Sequence, residues 1–277
     1  MSAIAYDPVK NKFAKIIRRN RVLRRLFYFL LDLFFLRSWH VRRVIKNTAD
    51  EMDKEGEWHL LDAGCGFGQY DRFLLSSFKE IRVHAVDVKE DYLEDCRFYF
   101  KKMIQNGSID FEAVDLLNPS LQKQYDFIIC IDVLEHIEED QKVIQNLTEA
   151  LKPGGFFLMH SPSQYSEEDD DEDESFVGEH ARPGYSKADI SGKLESAGLK
   201  PENIHYTYGF WGHKAWILSV KYPMISLNKI GMAAILPLLI YYPVIMPFCL
   251  LMNSADLFTK NVKGNGIYAL ARKPPKH

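Results

Sequence analysis

Short apolar runs and amphipathic stretches alternate along residues 57–161. The runs "WHLLDAG", "IRVHAVD", "IDFEAVD", "YDFIICID" and "GGFFLMHS" are rich in β-branched or aromatic residues and are bounded by turn formers. Each predicts a strand. Between them, Tyr70–Phe78, Asp91–Ile104 and Glu138–Leu151 predict helices, as does Ser186–Ala197 further on. Strand–helix alternation implies parallel strands joined by right-handed crossovers, an α/β fold. Ligands in such sheets bind beyond the carboxyl ends of the strands. Two later runs, "HKAWILSVKY" and "NGIYALARK", predict two more strands.

Two regions depart from this rhythm. Residues 1–50 are basic and helix-like, and Phe and Leu cluster in "LFYFLLDLFFL". Such a helix suits an anionic membrane surface, or forms a cap that packs on the main body. Leu26–Leu36 is too short to span a bilayer, and no small-residue cleavage site follows it, so removal as a secretory signal is not expected. Ile230–Met252, "IGMAAILPLLIYYPVIMPFCLLM", carries no charge and has the length of a membrane span. Its prolines, Pro237, Pro243 and Pro247, argue against one straight helix. The expected organisation is a basic arm over 1–50 and a core over 51–221 with an acidic loop at 165–180. An apolar insertion over 222–265 and a last strand within 266–277 complete it.

Charge sharpens this division. The net charge is −3, yet residues 1–46 hold twelve Lys and Arg against Asp7 and Asp32, which leaves the remainder strongly acidic. Nucleic acid is a poor partner for an arm so rich in Phe and Leu. The acidic run Glu167–Glu174 predicts a solvated surface loop. Four scattered cysteines give neither zinc-ligand spacing nor a disulfide framework, so a cytoplasmic, reducing setting is expected and no metal is predicted.

The candidate chemistry begins at "LDAGCGFGQY". Gly64, Gly66 and Gly68 follow the first strand and can take positive φ with no Cβ between main chain and ligand. The spacing D-x-G-x-G-x-G, with Asp62 at its head, suits a cationic ligand better than a pyrophosphate. Asp87 ends the second strand, where a nucleoside-binding fold places a carboxylate for ribose hydroxyls. Asp115 and Leu116 follow the third strand. An ammonium, a ribose and an adenine together describe S-adenosylmethionine.

With "LLDAGCGFG", "AVD" at Asp87, "VDLL" at Asp115, "YDFIICIDVLEHI" and "LKPGG", the chain resembles the class I, seven-stranded S-adenosylmethionine-dependent methyltransferases. The likeness is to the small-molecule branch that includes quinone-biosynthesis enzymes. It implies a doubly wound, mostly parallel seven-stranded sheet with an antiparallel last strand, and an insertion between the last two strands. By this resemblance, Asp62 and Gly64 to Gly68, Cys65 included, cradle the methionine part. Asp87 and Val88 meet the ribose, Asp115 and Leu116 bracket adenine, and Asp132 opens the segment beside the sulfonium. The last two strands would be neighbours, so both ends of the insertion lie on one side of any membrane. Twenty-three residues cannot cross twice, and a monotopic, membrane-facing insertion is the expectation.

Methyl transfer from a sulfonium has a neutral leaving group, so positioning carries much of the catalysis. A base is needed where the nucleophile arrives protonated. His136 is the first candidate and His180 the second. Glu135, His160, Arg182 and Tyr185 are candidate substrate-facing residues. The expected activity is methylation at oxygen or carbon of a lipophilic acceptor, such as a quinone precursor, a phenol or a lipid-like molecule, at the cytoplasmic face of a membrane. Two alternatives stand beside it. One is a methyltransferase for a soluble metabolite or protein, with the insertion as a dimer interface; the other is a non-catalytic cofactor-binding or scaffold protein. The oligomeric state is open.

Overall fold

The computed structural model describes residues 20–52, 56–119, 121, 124–166, 181 and 183–275. Seven strands form one sheet: β1 (Trp58–Ala63), β2 (Ile81–Asp87), β3 (Ile109–Ala113), β4 (Tyr125–Ile131), β5 (Leu151–Pro162), β6 (Lys200–Thr207) and β7 (Gly266–Arg272). Their order is β3-β2-β1-β4-β5-β7-β6. Neighbours from β3 to β5 pair in parallel, and β7 runs antiparallel to both β5 and β6. The chain reverses between β1 and β4, which puts a crevice at their carboxyl ends.

Strands buried on both faces read as continuous apolar runs. Leu61, Ile128, Cys130 and Phe157 pack on one face against α6 (Asp140–Ala150) and α7 (Lys187–Ser196). The alternate residues Leu60, Phe127, Ile129 and Leu158 face a second layer. That layer contains α3 (Gln69–Ser77), α4 (Glu90–Tyr99) and the short α5 (Lys101–Gln105).

The N-terminal helices belong to this second layer. Asn20 caps α1 (Arg21–Phe34), accepting from the Val22 and Leu23 amides. α2 (Leu36–Glu51) buries Val41, Val44 and Ile45 against the sheet. Residues 21–51 of the basic segment therefore cap the core. Their outer face is nonetheless apolar: Val22, Leu26 and Phe29 of α1 are exposed.

One predicted strand is a helix. Residues 213–222 lie in a helical run, and the sixth strand is Lys200–Thr207. An edge strand exposed over most of its length leaves a weak pattern in "KPENIHYT", whereas "AWILSV" carries a stronger β-like composition that packing overrides. The insertion accordingly starts after Thr207, not at 222. It comprises α8 (Phe210–Trp216), a π turn (Ile217–Lys221), α9 (Tyr222–Ile230), a 3-10 turn (Gly231–Ala234) and α10 (Ile235–Phe258). Gly231, at φ +58°, reverses the chain, so this is a helical hairpin with α8 packed on α10. Two limbs form where the uncharged stretch alone had suggested one short excursion.

Proline shapes the hairpin. Pro223 has no amide for the carbonyl of Ser219, and the π turn sends the Tyr222 amide to Ile217, past Leu218. The two stranded carbonyls are taken by adjacent tyrosines of the other limb. The Tyr241 hydroxyl donates to Leu218 O at 2.9 Å and that of Tyr242 to Ser219 O at 3.1 Å. Pro243 and Pro247 sit inside α10 without ending it. At the base, His40 of α2 meets the buried Asp256 at 2.9 Å, and the Phe34 and Tyr242 rings touch edge to face.

Candidate functional site

The loop after β1 takes its shape from three glycines in positive φ: Gly64 (+88°), Gly66 (+52°) and Gly68 (+73°). A Cβ on Gly64 would lie 2.3 Å from Val133, so that glycine is required by packing. A Cβ on Gly66 would meet nothing within 4 Å. There the bare main chain faces open space at the crevice.

Asp87, ending β2, ties the loop down. Its Oδ2 accepts from the Gly66 amide and its Oδ1 from the Lys89 amide, both at 2.9 Å. Two oxygens offer about four lone-pair positions, so capacity for a ligand remains. Val88 beside it is exposed. β3 ends at Ala113, so Asp115 lies in the following turn rather than at the strand end. There its carboxylate accepts from the Leu117 amide and the Asn118 side chain. Leu116 is buried, its carbonyl held by Asn146.

Beneath the loop lie two buried carboxyls, Asp62 and Asp71. Neither Asp71 oxygen nor Asp62 Oδ2 has a donor among the described residues. Burial raises the pKa of Asp62 well above the ordinary carboxyl value, and Asp71's negative charge adds to it. Burial likewise pushes Asp71 up to about 7, against a hydrogen bond with Asp62. Two such groups are stabilised by sharing a proton. Cys65 is buried over the pair, and its thiol is driven upward by burial and then by Asp71.

The helix α1 holds the loop from the other side. Arg24 is buried, and its Nη2 donates to Phe67 O at 2.9 Å. The Tyr28 hydroxyl donates to the same carbonyl oxygen. Arg24 also donates to Tyr28 and to Asp95 O. α2 contributes Ser38, which shares the Gln69 side chain with Asp32 of α1.

A polar cluster lines the next part of the edge. Asp132 follows β4 at φ +54°. Its Oδ1 lies 2.7 Å from His160 Nδ1, and its Oδ2 forms an ion pair with Arg37 of α2. His160 Nε2 lies 3.1 Å from Thr207 Oγ1. Burial, then the charge of Arg37, hold His160 well below its ordinary pKa. The imidazole is thus neutral near pH 7, with Nδ1–H directed at Asp132 and Nε2 accepting from Thr207. Glu135 is buried and accepts from Ser161 Oγ at 2.9 Å. Its pKa is raised, chiefly by burial. The Tyr208 hydroxyl accepts from the Arg37 amide, and burial pushes this phenol up to about 12.

These placements sort the sequence candidates. Asp62, Gly64, Cys65, Gly66, Gly68, Asp87, Val88, Asp115, Leu116 and Asp132 all fall at the carboxyl ends of β1 to β4. Glu135 and His160 join them. His136 is exposed on a 3-10 turn, while its neighbour Glu135 points into the protein. Tyr185 is a core residue: it is fully buried, and its hydroxyl donates to Asp140 at 2.7 Å. Its predicted substrate-facing role is therefore corrected to an anchor between α6 and the chain entering α7. His180, Arg182 and the acidic run lie outside the described residues. Sequence reasoning missed Arg24, Tyr28, Arg37, Asp71 and Tyr208. Asp71 carried one signal, an acid on the inward side of the first turn after the glycines.

Residues 61–157 match the family described as Methyltransferase domain. The chain is 31% identical over 154 residues to a demethylmenaquinone methyltransferase of Leptospira interrogans, across 54% of this chain and 58% of that protein. It is 28% identical over 117 residues to a ubiquinone biosynthesis O-methyltransferase of Rickettsia canadensis, across 42% of this chain and 48% of that one. A solved S-adenosylmethionine-dependent methyltransferase from Clostridium acetobutylicum superposes with a TM-score of 0.57 at 16% identity, covering 96% of this chain and 99% of its own. Residues 61–157 are a methyltransferase domain, set in a seven-stranded sheet. The chain spans about half the length of the curated relatives it matches.

S-adenosylmethionine is the cofactor that a methyltransferase domain on this fold implies, and the residues present fit it. The open space over Gly66 is a cradle that a Cβ would fill. Asp62 Oδ2 and the Asp71 oxygens are buried without another donor, and the pair sharing one proton would offer the remaining negative charge to a cationic tail. Asp87 would hold the ribose, and Leu116 would supply apolar contact for the base.

Proposed function

We propose that the protein transfers a methyl group from S-adenosylmethionine to oxygen or carbon of a lipophilic small molecule, a quinone precursor, phenol or lipid-like acceptor, taken up at the cytoplasmic face of a membrane. The observation that carries the methyl-transfer reading is the Gly64–Gly68 loop, bare at Gly66 and tied to Asp87. The names of the matched relatives support a quinone-like acceptor. The exposed apolar hairpin and α1 face support access from lipid.

The bound cofactor supplies an electrophilic methyl group on a sulfonium, with a neutral leaving group. The protein's own share is orientation and charge. The bare loop at Gly66 would take the methionine end, and Asp87 would hold the ribose. Asp132 is the partly exposed carboxylate at the next strand end, with a side chain 27% accessible. It is oriented by Arg37 on one oxygen and His160 on the other. A phenol releasing its proton at this edge meets Asp132, with the neutral His160 behind it to share the charge.

Incubation with labelled cofactor and a total lipid extract, followed by mass spectrometry, tests the reading. A lipid-soluble species gaining one methyl group is the expected result. Label found only in the aqueous fraction would move the substrate to a soluble metabolite. Cofactor binding with no acceptor in any fraction would leave a non-catalytic protein.

A further inference from the structure

One helix has two unlike faces, and both have work to do. The inner face of α1 presents Arg24 and Tyr28, which grip the Phe67 carbonyl in the glycine loop. Its outer face presents Val22, Leu26 and Phe29 to solvent, beside the exposed Arg21 and Arg25. The end of α1 abuts the hairpin through the Phe34–Tyr242 ring contact. The distal half of the hairpin is apolar and exposed on both limbs: Leu227 and Ile230 on α9, and Leu236, Leu239, Ile240 and Val244 on α10. Surface of this kind on two touching elements marks an interaction site.

The chemistry of the occupant follows from charge and length. No acid occurs from Phe210 to Ala255 or from Arg21 to Leu31, while Lys214 and Lys229 are exposed on the hairpin. A second copy of this chain would bring these cations against their own kind. An anionic lipid surface is attracted by them. The nine residues of α9, or the first ten of α10, rise by about 13–15 Å. The hydrocarbon of one leaflet is about 15 Å deep. Each distal limb is thus no longer than one leaflet is deep, and a hairpin lying along the interface buries its apolar side chains while Lys214, Lys229 and the α1 cations stay at headgroup level.

We propose that the outer face of α1 and the distal half of the hairpin form one docking surface for an anionic leaflet, and that docking on α1 clamps the cofactor loop through Arg24 and Tyr28. The proposal rests on the membrane-access reading above and deepens it. Whatever immobilises α1 on lipid also immobilises the two groups that hold Phe67. Lipid and cofactor then favour each other's binding by the same factor.

The test uses the full-length protein with vesicles of phosphatidylglycerol mixed into phosphatidylcholine, vesicles of phosphatidylcholine alone, and S-adenosylhomocysteine as the cofactor probe. Co-sedimentation with the anionic vesicles is expected, weakening with salt, and the vesicles should tighten S-adenosylhomocysteine about fivefold. Leu26→Glu with Phe29→Glu changes only exposed positions. This variant should bind S-adenosylhomocysteine normally without vesicles, and lose the vesicle-dependent gain. Leu236→Glu with Leu239→Glu should lose sedimentation. Sedimentation with an unchanged cofactor affinity, or a gain that survives Leu26→Glu/Phe29→Glu, overturns the clamp. Absence of sedimentation, with a dimer that Leu236→Glu/Leu239→Glu splits, overturns the lipid surface in favour of a second copy. A failure to methylate any lipid, with docking and clamping intact, would instead reject the proposed substrate and leave this surface standing.

Discussion

Arg24 Nη2 lies 2.9 Å from the carbonyl oxygen of Phe67, so a buried guanidinium on the first helix fixes the middle of the cofactor loop. The same side chain reaches Asp95 O and the Tyr28 hydroxyl. Arg24→Ala removes the guanidinium from all three and leaves Phe67 O with the Tyr28 hydroxyl alone. It should weaken S-adenosylhomocysteine by about tenfold, roughly 1.4 kcal/mol, by calorimetry. It should also lower the melting temperature by several degrees. An unchanged affinity would mean that the loop holds its shape without α1.

Gly64 and Gly66 separate packing from ligand space. Gly64→Ala drives a methyl group into Val133 and should cost the fold heavily, with a melting temperature lowered by about 5 °C or more. Gly66→Ala meets no neighbour, so its structural cost is the positive-φ strain alone, about 1–2 kcal/mol. Its effect should fall on cofactor affinity. Calorimetric titration and thermal melts on the two variants check the split.

The Asp62–Asp71 pair makes the cofactor-free protein less stable as pH rises. Both pKa values are raised in the folded state, Asp71 to about 7, so the folded state holds more protons than the unfolded one between about pH 4 and 7. Stability from this source is full below pH 4 and declines through pH 7. Asp71→Asn removes the second acid while keeping its shape. The melting temperature of Asp71→Asn should exceed that of the natural protein by about 3 °C or more at pH 8 and converge with it toward pH 5. Parallel curves across that range would show that the pair does not titrate as described.

His160 acts in the opposite direction. Its pKa is lowered in the folded state, so the unfolded state takes up a proton first as pH falls below about 6.5. Stability is lost on that side, and His160→Asn should remove part of the loss between pH 6.5 and 5. Because the imidazole is already neutral at pH 7, the activity profile should show no inflection from His160 between pH 7 and 8.

Tyr242 and Pro223 form a compensating pair across the hairpin. Tyr242→Phe strands the Ser219 carbonyl and should cost about 1 kcal/mol. Pro223→Ala returns an amide to that carbonyl. The double variant should therefore recover much of the loss, which a double-mutant cycle in urea would measure.

The legible part of this molecule was the part built from short-range rules. Parallel strands must be apolar throughout, so "LLDA", "IRVHAVD" and "YDFIICI" announced themselves, and the glycines declared the loop between β1 and α3. The edge strand β6 was hidden because "KPENIHYT" is half exposed and carries Pro201 and Asn203, where the register shifts. The run at 213–222 looked like a strand because its β-branched and aromatic residues serve a helix–helix contact instead. Arg24, Arg37 and Tyr208 were illegible for another reason. Their roles depend on partners 43, 95 and 171 residues away in sequence, and no local spacing encodes such meetings. Tyr185 failed in the reverse sense: its neighbours looked functional, yet its hydroxyl serves Asp140 in the core.

Thr207 and Gly266 stand opposite each other in register at the ends of β6 and β7. The whole hairpin thus leaves and rejoins the sheet at a single doorway. A two-residue turn would close that doorway without moving a strand. The length of the excursion is therefore not dictated by the sheet: the crevice beside β1 and β4 keeps its frame whatever chain lies between Thr207 and Gly266.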